Sequence, residues 1–355
     1  MLALQLAERL RHEFRFVFVC LDELGSLGEE LQSRGAAAKV LHRRSGLDWR
    51  CSYRLAKTLR QENVDLVHAH QYTPFFYAAL ARILAGFQPR LIVTEHGRHF
   101  PDQVAPLRRA VNRLFLEPRA DAVTAVCRFC AHSMVTVDGF RGARVHVISN
   151  GVATAANANA RQRQALREDL GLADKRRYLV NVARQHPIKD HATLLKAFYH
   201  VARNCGDVDL LLVGDGPLRR DLHELAVTLG IKERVHFLGV RNDVPNLLRL
   251  ADAFVLTSLS EAASLTILEA MAASLPVVVT AVGGNPEIVR HGVEGLLVPP
   301  RDSARLAEAL QMLLSGTVRA TAMGRAGAER VRKHYQLEHT VLQYRALYGR
   351  LTRSA

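Results

Sequence analysis

The sequence predicts an α/β protein made of two doubly wound, parallel-sheet domains. Three observations carry this. Short apolar runs of strand length recur along the chain and alternate with segments of helical spacing, the pattern of a parallel sheet covered on both faces. With 355 residues, the chain suits two domains of about 150–200 residues. Residues 251–280 spell one complete crossover unit. The run ADAFVLTS reads as a buried strand, and Leu265, Leu268, Met271 and Ala272 follow at three- and four-residue spacing. Pro276 to Thr280 is a second, valine-rich strand.

Taken in order, residues 2–11 read as a helix, 14–20 as a strand, 28–34 as a helix and 37–41 as a short strand. Residues 49–62 have helical spacing, and 64–69 form a strand ending at His68-Ala69-His70. Thr73-Pro74, cap then proline, opens a helix over 73–85. Strands follow at 91–94, 121–126 and 145–148. Residues 153–163, rich in alanine and asparagine, read as a linker, and 161–170 as a helix. The second sheet is expected from strands at 178–183, 208–213, 235–238, 253–257, 277–280 and 295–298, and 338–350 is helical.

Apolar residues make up 48% of the chain, enough for two cores and too many for a disordered protein. No apolar run approaches the ~18 residues that span a bilayer, and MLALQLAERLR does not read as a signal peptide. The expected location is cytoplasmic. The net charge is +14, shared evenly between residues 1–150 and the remainder. Few aromatics and no nucleic-acid motif accompany it, so the excess points to anionic lipid or phosphate; an arginine-rich proteome is the plain alternative. Five scattered cysteines fit a reducing compartment. Cys127-x-x-Cys130, with His132 nearby, lacks a second pair to complete a metal site and is read as helix-start packing.

The chemistry gathers around residues 258–294. Glu261 lies in the loop before the helix and Glu269 within it. Ser264 at the helix start leaves the amides of Leu265 and Thr266 for an anion, while the flanking carboxylates accept hydrogen bonds from sugar hydroxyls. Amides for a phosphate beside carboxylates for hydroxyls suit a nucleotide sugar; two solvated glutamates are the plain reading. Arg184 and Lys189 follow the strand YLVNVA, where cations neutralise a diphosphate. That charge makes a metal unnecessary, and no Asp-x-Asp metal motif is assigned. Gly214 and Gly216, in Gly214-Asp215-Gly216-Pro217, allow close backbone approach to a ligand; an ordinary turn would look the same. His96 is read as a base able to titrate near neutrality, with His68 and His70 as alternatives and His99 facing solvent.

Glu261-x7-Glu269, Ala270-Met271-Ala272, Pro276-Val277-Val278, Gly283-Gly284 and Glu287 together resemble the signature of the retaining glycosyltransferases of family 4, which have the two-domain GT-B fold. Arg184-x4-Lys189 fits that family's R-x4-K. The resemblance runs from about residue 1 to 350. It implies two Rossmann-like domains facing across a cleft: residues 1–152 on the acceptor side, 153–337 binding a nucleotide sugar, and a C-terminal helix, 338–355, crossing back. It implies a UDP- or GDP-sugar as donor, no cofactor, and a lipid-linked or saccharide acceptor at the inner membrane face. Glu269 would accept both ribose hydroxyls, Val240 would lie near the base, and Glu287 near the pyrophosphate and helix start. His96 would stand near the acceptor or leaving phosphate.

Two departures stand out. Ala262-Ala263-Ser264 replaces the family's Gly-Phe-Gly, read here as sugar specificity. The family's first strand and glycine-rich loop precede a helix that matches Leu6-Ala7-Glu8-Arg9-Leu10, so the first strand of the N-domain is expected to be missing, by truncation or as a variant. A nucleotide-sugar epimerase of the same fold, which would act without an acceptor, and a non-catalytic nucleotide-binding assembly subunit remain as alternatives.

Overall fold

The computed structural model describes residues 2–33, 35–84, 86, 89–97, 104–153 and 160–353. The expectations placed on Arg34, Ala85, His99 and most of the 153–163 linker lie outside them. The chain divides into two units, one made of Met1–Gly97, Pro101–Ser149 and Thr340–Ala355, the other built on Asn150–His339.

The first unit runs α1 (Leu2–Leu10), β1 (Val17–Cys20), α2 (Gly25–Ser33), β2 (Ala37–Val40), α3 (Trp49–Gln61), β3 (Leu66–His70), α4 (Tyr72–Leu84), β4 (Arg90–Glu95), α5 (Pro106–Val111), β5 (Ala122–Ala125), α6 (Arg128–Thr136) and β6 (Val145–Val147). Asp48 starts α3 by accepting from the amides of Arg50 and Cys51. Helix α4 begins at Tyr72, after Gln71 at φ 79°, so Thr73 sits inside the first turn and does not cap it.

All strand pairs in this unit are parallel, but its sheet is in two pieces. β1 pairs with β2, and β3-β4-β5-β6 form a separate ladder. A cavity of about 360 Å³ lies between β1 and β3, lined by Val17, Val19, Leu66 and His68, among others. Strand β4, flanked on both sides, is almost wholly buried, whereas every residue of β1 is only half-buried although its sequence is VFVC.

The second unit runs α7 (Ala160–Asp169), β7 (Arg177–Val182), α8 (His191–Asn204), β8 (Val208–Val213), α9 (Arg219–Thr228), β9 (Val235–Gly239), α10 (Val244–Leu250), β10 (Ala253–Leu256), α11 (Leu265–Ala272), β11 (Val277–Thr280), α12 (Asn285–Ile288), β12 (Gly295–Val298), α13 (Ser303–Ser315) and α14 (Thr317–His334). Helix α15 (Leu337–Arg353) starts here and continues as part of the first unit. The six strands form one parallel sheet in the order β12-β11-β10-β7-β8-β9. Both faces are packed. Leu210 and Leu212 of β8 join Phe198, Val255 and Leu310 on one side. Leu211 and Val213 join Phe254, Ile267 and Met271 on the other. The two-residue period of a strand thus feeds both cores, which explains why these strands read as unbroken apolar runs.

Candidate functional site

Strand β7 is the first of its sheet and lies near the middle. From it the chain builds outward through β8 and β9 on one side, then through β10, β11 and β12 on the other. The switch point of the sheet is therefore the β7–β10 boundary, and a crevice outside the carboxyl ends there is where open α/β sheets take ligands. The loops leaving β7 and β10 meet across it. The Lys189 ammonium forms an ion pair with Glu261 Oε1. Ser258 Oγ donates to the same oxygen at 2.7 Å. The two loops are also tied by backbone: Thr257 Oγ1 donates to the carbonyls of Lys189 and Asp190 at 2.9 and 3.0 Å, and Leu259 N–H to Ile188 O at 2.7 Å.

Glycines bring further backbone into the crevice. A Cβ on Gly214 (φ 124°) would stand 2.2 Å from Ala183 O, and one on Gly216 2.4 Å from Gln185 O, so the β8 turn presses against the segment carrying Arg184. A Cβ on Gly283 (φ 54°) would stand 1.7 Å from Glu261 O, which also accepts from Gly284 N–H at 3.1 Å. The β11 turn therefore fixes the height of the Glu261 loop. Arg184 is exposed; its carbonyl accepts from His186 N–H at 2.8 Å, and among the described residues its guanidinium makes no hydrogen bond. Val240, the residue after β9, is 76% exposed. Glu287 lies on α12, and its carbonyl accepts from Arg330 and Tyr335.

Helix α11 starts at Leu265 as expected, with Glu261 in the loop and Glu269 one turn in. Burial raises the Glu269 carboxyl above its usual range. Ser264 holds the cap position, but its side chain makes no capping bond; the hydroxyl lies 3.1 Å from Thr266 Oγ1. The amides of the first turn are thus left to water or a ligand, by a different route from the one its sequence position suggested.

In the first unit, His96 directly follows β4 and sits 2.9 Å, Nε2 to Nδ1, from His70. His68 stacks on His70 at 4.1 Å between ring centres and bonds through its two nitrogens to Tyr348 Oη and Thr94 Oγ1, each at 2.6 Å. Burial lowers His70 to about 3 and His96 to about 4, and drives His68 down as well. His96 therefore stays neutral near pH 7 and does not titrate there as its type suggests. As a neutral ring it offers a hydrogen bond, not a charge.

Two motifs take structural roles. The chain does contain one Asp-x-Asp, Asp207-Val208-Asp209. It lies at the amino end of β8, with Asp207 held by Arg177 and Asp209 by Arg176, Arg234 and His236, so it is a structural charge cluster remote from the crevice. Cys127 caps α6, its sulfur accepting from Cys130 N–H at 3.4 Å. Among the described residues, no group of three or more His, Cys, Asp or Glu side chains could hold a metal.

Sequence reasoning missed three buried polar groups at the carboxyl edge of the second sheet. Gln185 Oε1, Asn285 Oδ1 and both ring nitrogens of His191 are buried without a hydrogen-bond partner. Burial, and then Lys189, lower His191 to about 4. The signal was available: a glutamine directly after Arg184 and an asparagine directly after Gly283-Gly284 are costly to bury unless a ligand or water satisfies them.

The model for glycosyl transferases group 1 matches residues 162–330, and that for Glycosyltransferase Family 4 matches residues 1–156. N-acetyl-alpha-D-glucosaminyl L-malate synthase of Bacillus anthracis is 30% identical over 308 residues, covering 83% of this chain and 77% of that protein. UDP-Gal:alpha-D-GlcNAc-diphosphoundecaprenol alpha-1,3-galactosyltransferase of Escherichia coli is 31% identical over 269 residues, 72% of this chain and 68% of that one. Anabaena HepE, solved in complex with UDP and glucose, superposes with a TM-score of 0.86 at 22% identity, covering 98% of this chain and 95% of that one.

Proposed function

The chain belongs to the group 1, family 4 glycosyltransferases of GT-B fold, and from that premise we propose that it moves a hexose from a UDP- or GDP-sugar to a lipid-linked or saccharide acceptor, with retention and without a metal. The observation that carries this reading is the Lys189–Glu261 pair across the switch point, beside Arg184 and the half-buried Glu269. The names of the relatives support the substrate class: the Escherichia coli enzyme is named for UDP-Gal and a diphosphoundecaprenol acceptor, and a Mycobacterium tuberculosis relative, 30% identical, for GDP-mannose and phosphatidylinositol monomannoside.

In this reading Arg184 and Lys189 face the donor diphosphate, the amides of Leu265 and Thr266 add hydrogen bonds, and the Gly214–Gly216 turn and Val240 border the nucleotide. Glu269 accepts the ribose hydroxyls, Glu261 a sugar hydroxyl, and Glu287 stands by the pyrophosphate. The anomeric carbon–oxygen bond to the β-phosphate breaks, and the acceptor oxygen bonds to that carbon from the same face. The acceptor proton passes to the departing phosphate. Charge grows on the phosphate oxygens as the bond breaks, so fixed cations stabilise the transition state more than the ground state. Neutral His96 orients the acceptor or phosphate by hydrogen bonding. The residues named suffice for this step without a cofactor. We place the enzyme at the cytoplasmic membrane face, where a lipid-linked acceptor is met. No helix among the described residues is long and apolar enough to cross a membrane.

The test is calorimetric titration with UDP, GDP and ADP, followed by turnover with the matching donor sugar. Binding of one nucleotide that disappears in Glu269→Ala, with product formed only when acceptor is present, supports the reading. Unchanged turnover in both Glu269→Ala and Arg184→Ala, or epimerised donor without acceptor, overturns it.

A further inference from the structure

Helix α3 carries an outer face that its fold does not explain. Trp49 and Tyr53, one turn apart, are 61% and 64% exposed, and Leu47 just before them is 55% exposed. The opposite face is conventional: Cys51, Leu55, Ala56 and Leu59 are buried. Helix α3 therefore has apolar residues on both its buried and its exposed side, the exposed ones among basic residues. An exposed tryptophan beside an exposed tyrosine is unusual on a soluble surface.

The charge around this face has one sign. Residues 43–60 contain six basic residues and a single acid, Asp48. Asp48 is buried and consumed as the α3 cap and as a partner of Arg54. Arg44, Arg50, Lys57 and Arg60 stay exposed. The pattern continues across the same helical layer. Tyr77 of α4 receives the Asp48 amide at 3.0 Å, and Tyr72 of α4 donates to Asn112 at 2.8 Å while Arg108 lies over its ring. So α4 joins α3 to the segment that begins with α5. There Leu107 and Leu114 are 76% and 74% exposed, Arg109 and Arg113 are exposed, and the one acid, Glu117, is buried.

From this we propose that the outer surface of the α3–α5 layer docks on an anionic lipid surface, with Trp49, Tyr53, Leu47 and Leu107 entering the interface. Aromatic rings with a polar edge favour the boundary between headgroups and chains. Arginine and lysine stems lie along apolar material while their charges meet lipid phosphates. Inward-turned acids remove the repulsion that such a surface would otherwise feel. The surface rests on the membrane placement proposed above but uses no residue assigned to sugar transfer, so failure of its test and failure of the transfer reading are distinguishable.

Trp49 is the sole tryptophan of the chain, so its fluorescence reports this face alone. The full chain is titrated with phosphatidylcholine vesicles and with vesicles containing one-third phosphatidylglycerol. The expected result is a blue shift of Trp49 emission and protection from acrylamide with the anionic vesicles only, reversed by high salt. Arg44→Ser with Arg50→Ser should weaken partitioning roughly tenfold or more. Leu47→Ser with Tyr53→Ser should weaken it at every ionic strength. Nucleotide titration and circular dichroism of each variant confirm folding. Binding without a Trp49 shift overturns the assignment. So does an equal shift with soluble heparin, which would mean a polyanion site, or equal binding to neutral vesicles.

Discussion

Lys189 and Glu261, 72 residues apart in sequence, form an ion pair that joins the ends of β7 and β10. Each is the other's partner while no diphosphate is present. A donor phosphate would draw Lys189, and a sugar hydroxyl would occupy Glu261. Glu261→Gln is therefore expected to leave nucleoside diphosphate binding intact or tighter while turnover falls at least tenfold. Lys189→Ala should weaken binding about tenfold or more, the value of one charged hydrogen bond. Calorimetry and initial rates separate the two effects.

Glu269 sets a second contrast. Its carboxyl titrates above its ordinary range because burial disfavours the charge. Ionising it as pH rises therefore costs stability, while the ionised form, with both oxygens free to accept, binds the ribose hydroxyls more strongly. Glu269→Gln should raise the melting temperature at neutral pH and abolish nucleotide binding. In the native chain, nucleotide affinity should fall on acidification before the ordinary carboxylate range is reached, a limb that the variant lacks.

The buried imidazoles of the first unit couple its stability to pH in the opposite direction. His70 at about 3 and His96 at about 4 stay neutral while an unfolded chain takes up protons below 6.5. Stability is full above 6.5 and falls as pH drops toward 4, by up to ~1.4 kcal/mol per pH unit for each group. Denaturant titrations at pH 7 and 5 should show this slope. His70→Gln should flatten it, whatever it does to the absolute stability.

Gly283→Ala and Gly292→Ala offer a matched pair. Both positions have positive φ, 54° and 80°. Nothing lies within 4 Å of a Cβ at Gly292, so only backbone strain remains, about 1 kcal/mol. At Gly283 the Cβ would meet Glu261 O, so the loop must move. Both should lower the melting temperature, but only Gly283→Ala should lose turnover out of proportion to its stability.

Much of the second unit was legible because local pattern and tertiary role agree there. Val277–Val279 is an unbroken apolar run because both faces of the strand are covered, and Glu261 and Glu269 fall in loop and helix as their spacing implies. The Ser264 hydroxyl was not legible, since its direction depends on Thr266 and the loop conformation. Nor was the neutrality of His96, which comes from burial beside His70 and not from residue type. The α3 helix was readable from its period, but which of its two apolar stripes faces inward is decided by packing against α4. Strand pairing is the least local property of all: VFVC and LVHAH read as strands, and neither names its neighbour in the sheet.

That separation between β1 and β3 has a consequence for handling and folding. Two parallel edges face one opening, each with backbone amides and carbonyls directed into it rather than into a ladder. Water must satisfy them, so hydrogen exchange along Val17–Cys20 and Leu66–His70 should run well ahead of exchange in β4 and β5. An extended apolar segment of another molecule would satisfy them better. At high concentration, self-association should therefore begin in the first unit, at this opening, while the second unit remains native and still binds nucleotide.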